Sequence, residues 1–224
     1  MTRKGLMIAS TAIVLAMVAV ALYVGRGLPG DMRLPIHWNL AGTADGYASK
    51  WNALLTPAVI TALTSILLYF LPALEPREGN LARSQGLYLW SWAGTLLVML
   101  ALDLVVVSTA LHWGLRVEHV ITGAVGMMLV LIGNQLGKSR SMFLVGIRTP
   151  WALSSEEVWI KTHRLGGKLM VGGGAALILA ALLPIPSGLL AMVFMLVIAV
   201  TALVPIVYSY LLWRREKRSA QPRG

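Results

Sequence analysis

The stretch GNQLGKSRSMFLVGIRTPWALSSEEVWIKTHRLGG, residues 133–167, is the most polar and most specifically patterned part of a chain otherwise built of long apolar runs. With Lys168 at its edge it holds six of the nineteen basic residues: Lys138, Arg140, Arg148, Lys161, Arg164 and Lys168. The runs on either side are long and apolar enough to cross a bilayer, so this stretch reads as a polar loop between two membrane spans.

Working outward, the rest of the chain supports that reading. Of its 224 residues 57% are hydrophobic and 12% charged, a balance outside that of soluble domains. A hydrocarbon layer of ~30 Å needs about 20 apolar residues per helix. On that measure six spans are expected, at about 6–24, 53–71, 87–111, 117–136, 168–183 and 189–212. The first has a basic start and resembles a signal peptide, but its length favours an uncleaved helix. The fold expected is an all-α integral membrane protein. Its two three-helix units would cover 1–111 and 112–224, the second inserted in the opposite sense to the first, as in many transporters.

Charge sets the expected orientation. Fifteen basic residues, counting the tail from Arg214 to Arg223, fall on one side of this arrangement and four on the other. The positive-inside rule then puts both termini and the 133–167 loop in the cytoplasm and the 25–52 loop outside. The net charge of +10 is therefore topogenic and attracts anionic membrane lipid, and direct nucleic-acid binding is not expected. With no cysteine in the chain, disulfides and thiolate chemistry are excluded.

The outer loop 25–52 is rich in turn formers, among which stand His37, Asn39, Asp45 and Tyr47. They read either as a compact turn with local backbone bonds or as an extracytoplasmic ligand site. Asp103 is the one charge inside a membrane run and is expected to face other helices or water and to have a partner. It reads equally as a packing group and as a functional one. His112, Arg116, Glu118 and His119 form an outer turn without zinc-ligand spacing, so no metal site or cofactor is expected. Nor does any nucleophile motif or carboxylate pair appear, and an enzyme is not expected.

Within the inner loop, Ser154-Ser155-Glu156-Glu157 has the form of a capping box with Ser154 as the cap. A short amphipathic helix of about 155–165 is predicted, stopped by Gly166, with Val158, Thr162 and Leu165 on one face and Glu157 paired to Lys161 on another. It reads either as an interfacial helix or as part of a binding site. In the second reading Arg148, fixed before the Thr149-Pro150-Trp151 turn, would meet phosphate, carboxylate or an acidic partner, with Lys138, Arg140 and Arg164 nearby in sequence. Gly133 and Gly137 have the small-xxx-small spacing of closely packed helices.

These residues carry a resemblance. Gly133-Asn134-x-Leu136-Gly137-Lys138, Gly146-Ile147-Arg148-Thr149-Pro150-Trp151, Ser154 to Trp159 and Lys161-Thr162-His163-Arg164-x-Gly166-Gly167-Lys168 resemble the SdpI family of bacterial immunity proteins. The run Pro35-x-His37-Trp38-Asn39-x-x-Gly42-x-x-Asp45-Gly46-Tyr47-x-x-Lys50 is similar to the uncharacterised domain that often precedes it. Ser139-Arg140-Ser141 departs from the pattern, where a proline and an asparagine are expected. The resemblance implies a multi-pass protein of a bacterial cell membrane that confers immunity to an exported toxic peptide, and in the best-known member also holds a cytoplasmic repressor. On that reading His37, Asn39, Asp45 and Tyr47 meet the ligand outside, and Asn134, Lys138, Arg148, Thr149, Trp151, His163 and Arg164 form the inner readout. The competing reading is a small transporter or flippase that uses Asp103 on an anionic or lipid substrate.

Overall fold

The computed structural model describes residues 1–39 and 42–220; Arg223 and the end of the basic tail lie outside the described residues. Its helices are α1 (Arg3–Gly27), α2 (Lys50–Phe70), α3 (Glu78–Arg83), α4 (Gln85–Ala110), α5 (Val117–Leu136), α6 (Pro150–Ser154), α7 (Glu156–Leu182) and α8 (Ser187–Ala220). Six of them, α1, α2, α4, α5, α7 and α8, are long and apolar enough to cross a membrane. Their outward surface carries exposed Ile8, Leu63, Leu67, Leu179 and Leu196, side chains suited to contact lipid. The helices α1, α2 and α4 pack on one another, as do α5, α7 and α8, and the α4–α5 contact joins the groups.

The outer loop contains an antiparallel hairpin of β1 (Arg33–Trp38) and β2 (Ala44–Ser49), interrupted by irregularities on either side of His37. Leu34 anchors it among Ala21, Val24, Ala53, Leu54, Val106, Val107 and Ala110 at the ends of α1, α2 and α4. The Lys50 ammonium donates to the Leu28 carbonyl at 2.6 Å, which ties the start of α2 to the end of α1. Because α2 begins at Lys50, three residues before the expected span, Pro57 lies inside the helix.

The main correction concerns α7. No separate amphipathic helix ends at Gly166: one helix runs unbroken from Glu156 to Leu182. Its cap is Ser155, whose hydroxyl accepts from Val158 N at 3.3 Å, while Ser154 closes α6 by donating to the Trp151 carbonyl at 2.9 Å. Gly166 and Gly167 continue the helix because tertiary packing needs their missing side chains. A Cβ on Gly167 would stand 2.7 Å from the Gly133 carbonyl oxygen, and one on Gly166 would stand 2.5 Å from Ile147. The expected Glu157–Lys161 pair forms, at 2.5 Å, and Val158 and Thr162 are buried on the opposite face.

Candidate functional site

The loop between α5 and α7 is folded around Trp159. That ring is fully buried with Leu87, Leu136, Met142, Ala152 and Val158, and its indole N–H donates to the Ser139 carbonyl and hydroxyl at 3.3 and 3.2 Å. His163 stacks on it with ring centroids 3.8 Å apart. The Ile147 N–H donates to His163 Nε2 at 2.9 Å, and a carbonyl oxygen, that of Trp159, lies 2.8 Å from Nδ1. A backbone N–H only donates and a carbonyl only accepts, so both bonds together require the neutral ring protonated on Nδ1. Gly146 passes over this pair with φ +128°, and a Cβ there would lie 2.6 Å from His163 Nε2. The glycine at this position is therefore required twice, by conformation and by space.

The next turn is held in the same way. Thr149 caps α6 by accepting from Ala152 N at 3.1 Å. Its hydroxyl lies 2.9 Å from that of Ser209. The Ser209 proton is committed to the Ile206 carbonyl at 2.7 Å, so Thr149 is the donor across to α8. Trp151 meets Tyr210 of α8 edge-on at 5.1 Å. Arg148 is exposed, and its guanidinium donates to the Phe143 carbonyl at 2.6 Å, closing the short turn that precedes α6.

The connector between α2 and α4, which no sequence motif marks, supplies many of the loop's ties. The buried carboxylate of Glu75 accepts from Phe143 N and Leu144 N, both at 2.9 Å, and from Arg77 N at 3.1 Å. Arg77 lies over the Phe143 ring at 4.8 Å and donates to the Ser141 hydroxyl. Asn80 donates to the Ser141 carbonyl at 2.8 Å, and the Ser84 hydroxyl accepts from Arg140 N at the same distance. The Ser139-Arg140-Ser141 departure from the family pattern is thus the segment that this connector grips. No local spacing marks Glu75, since the connector carries two acids, Glu75 and Glu78, and two bases, Arg77 and Arg83.

The inner site residues therefore divide. Asn134, Lys138, Arg148 and Arg164 are exposed, whereas Thr149 and His163 are buried and Trp151 is half-buried against α8. Lys138 and Arg164 both stand at the end of α5, where Gly137 lets the Arg164 backbone approach. Cations at that place face the negative end of the helix dipole. His163 is fully buried and does not reach the surface of the molecule.

On the outer face His37 Nδ1 lies 2.5 Å from Asp45 Oδ1, and Asn39 accepts from Thr43 N at 3.0 Å. Tyr47 is exposed on the neighbouring strand, its carbonyl accepting from Arg33 at 2.8 Å. The hairpin closes one side of a cavity of about 300 Å³, which Ile36, His37, Trp38, Leu102, Glu118 and Phe194 help to line. At its rim Glu118 is held by Arg116 at 3.1 Å and by Ser187 at 2.9 Å. Asp103 lies in α4, partly buried, and contrary to expectation has no hydrogen-bond or ion-pair partner among the described residues. The apolar residues at Val106, Val107 and Ala110 along its face fill the space between α1 and α2 and offer no donor.

Six membrane-length helices, a hairpin at one end and a folded polar loop at the other define a multi-pass membrane protein. Residues 138–209 match the SdpI/YfhL protein family, and residues 12–61 match a domain of unknown function, DUF1648. The chain is 25% identical over 171 residues to "Immunity protein SdpI" of Bacillus subtilis (strain 168), an alignment that covers 76% of this chain and 78% of that protein. No solved structure matches the chain. The second half of the chain is thus similar to the SdpI/YfhL family, and the protein is a multi-pass protein of a bacterial membrane.

Proposed function

We propose that this protein confers immunity on its bacterium against a membrane-active toxic peptide that reaches it from outside. The observation that carries this reading is the similarity to an immunity protein over most of both chains, together with the SdpI/YfhL family match over residues 138–209. In this reading the hairpin with His37, Asn39, Asp45 and Tyr47, together with the cavity behind it, receives the peptide. The exposed Arg148, Lys138, Asn134 and Arg164 form the inner surface on which an acidic cytoplasmic partner, such as a repressor, is held. Thr149, Trp151 and His163 position that surface. Coupling between the faces runs through a helix packing with two arrangements that the peptide biases.

The test is deletion of the gene followed by challenge with membrane-active peptides exported by the same and neighbouring strains. Deletion is expected to sensitise the cell, wild-type protein to restore resistance, and Arg148→Ala to reach the membrane at wild-type level without restoring it. Unchanged resistance in both strains removes the proposal. Asp103, partly buried and without a partner among the described residues, favours transport of an anionic or lipid substrate as a second reading. Flux into proteoliposomes that disappears in Asp103→Asn, with resistance unaffected by deletion, would select it.

A further inference from the structure

The exposed face of α7 bears Lys161, Arg164 and Lys168, spaced i, i+3 and i+7 and therefore aligned along one stripe about 10 Å long. Lys161 is paired to Glu157 at 2.5 Å. Arg164 and Lys168 have no hydrogen-bond or ion-pair partner among the described residues. With Leu165 and Tyr208 the three cations line a cleft of about 270 Å³ between α7 and α8. Glu157 and Glu216 line a neighbouring groove that shares Lys161 with this cleft.

A second groove, of about 340 Å³, adjoins the cationic cleft and shares Leu165 and Tyr208 with it. Its remaining walls are Leu203, Val204, Val207 and Leu211 of α8. The helices are antiparallel, and a Cβ on Gly166 would lie 3.5 Å from Pro205, so the apolar groove runs beside the cations toward the hydrocarbon. Lys168 stands deepest in the stripe, eight residues beyond Ile160, where an unpaired ammonium at the membrane edge is costly without a counter-ion or a path to the headgroups.

From this juxtaposition we infer that α7 and α8 form a binding site for one anionic glycerophospholipid. Lys161, Arg164, Lys168 and the Tyr208 hydroxyl take the phosphate and headgroup, and an acyl chain lies along Leu203, Val204, Val207 and Leu211. An anionic headgroup supplies the charge that Arg164 and Lys168 lack, and the apolar groove selects a lipid over a free phosphate or an acidic protein. The site is separate from the outer peptide site, and it shares Arg164 alone with the inner surface of the immunity reading.

Native mass spectrometry of the full-length protein in mild detergent tests it, with equimolar phosphatidylglycerol and phosphatidylcholine carrying identical acyl chains. Preferential retention of phosphatidylglycerol is expected. The triple variant K161Q/R164Q/K168Q should lower that retention about fivefold per cation, on the order of a hundredfold in all. V207W, which fills the groove and leaves every charge in place, should lower retention of phosphatidylglycerol as well, and it carries the test if the triple variant does not fold. Glycerol 3-phosphate at equal concentration should fail to displace the lipid. Equal retention of the two lipids, retention unchanged in both variants, displacement by glycerol 3-phosphate, or displacement by a polyglutamate peptide would each overturn the inference. The last two results would mark a bare anion site and an acidic-protein site respectively.

Discussion

Glu75 shows what a single side chain does in this protein. Its carboxylate replaces water for the amides of Phe143 and Leu144, which point into a loop with no secondary structure of its own to satisfy them. Hydrogen bonds to a charged group are each worth about 1.5–3 kcal/mol. Glu75→Ala should therefore destabilise the inner loop by about 3 kcal/mol, and Glu75→Gln by less, since the amide keeps one acceptor oxygen. Hydrogen exchange at Phe143 and Leu144 is the measurement, with faster exchange expected in the order wild type, Gln, Ala. His163 illustrates why residue roles were only partly legible. Its place in a motif was visible from the chain, but that its ring lies beneath Gly146 and serves the Ile147 amide depends on a contact between residues sixteen positions apart.

At the scale of elements, α5 and α7 approach through two glycine pairs spaced seven residues apart. A Cβ on Gly126 would stand 2.8 Å from the Gly174 carbonyl oxygen, and one on Gly133 would stand 2.8 Å from that of Gly167. In lipid the apolar surfaces gain little by leaving their solvent, so helix association rests on such close backbone packing. Gly133→Val and Gly167→Val should each lower stability by roughly 1–3 kcal/mol through overpacking. The double variant should cost less than the sum, because helices already parted by one side chain accommodate the other. Thermal unfolding of the purified variants in one detergent reads this out. The small-residue spacing of Gly133 and Gly137 did indicate close packing. The pairing of Gly126 with Gly174 did not emerge, since it depends on the antiparallel register of two helices. The same register explains the error over α7: a glycine that ends an isolated helix continues one whose neighbour needs the space.

For the whole molecule, the connector residues Glu75, Arg77, Asn80 and Ser84 fasten the first three spans to the loop of the last three, and the α4–α5 contact continues the joint through the membrane. The expected orientation belongs to this scale. The chain has no cysteine, so single substitutions report sidedness directly. Tyr47→Cys should react with a membrane-impermeant maleimide in intact cells, and Arg140→Cys only after permeabilisation; the reverse pattern would invert the topology. Both side chains are exposed, which removes burial as the cause of a difference.

The sequence by itself determined the six spans, because bilayer thickness converts directly into apolar run length. It also held the motifs of the family and the helix start near residue 155, since caps and ion pairs at i,i+4 are local. Only the tertiary structure decided that α7 passes through Gly166, that Glu75 holds the inner loop, that Asp103 lacks the expected partner among the described residues, and that the basic stripe lies beside an apolar groove. Each depends on which distant backbone or side chain comes to lie opposite, and no local spacing records that.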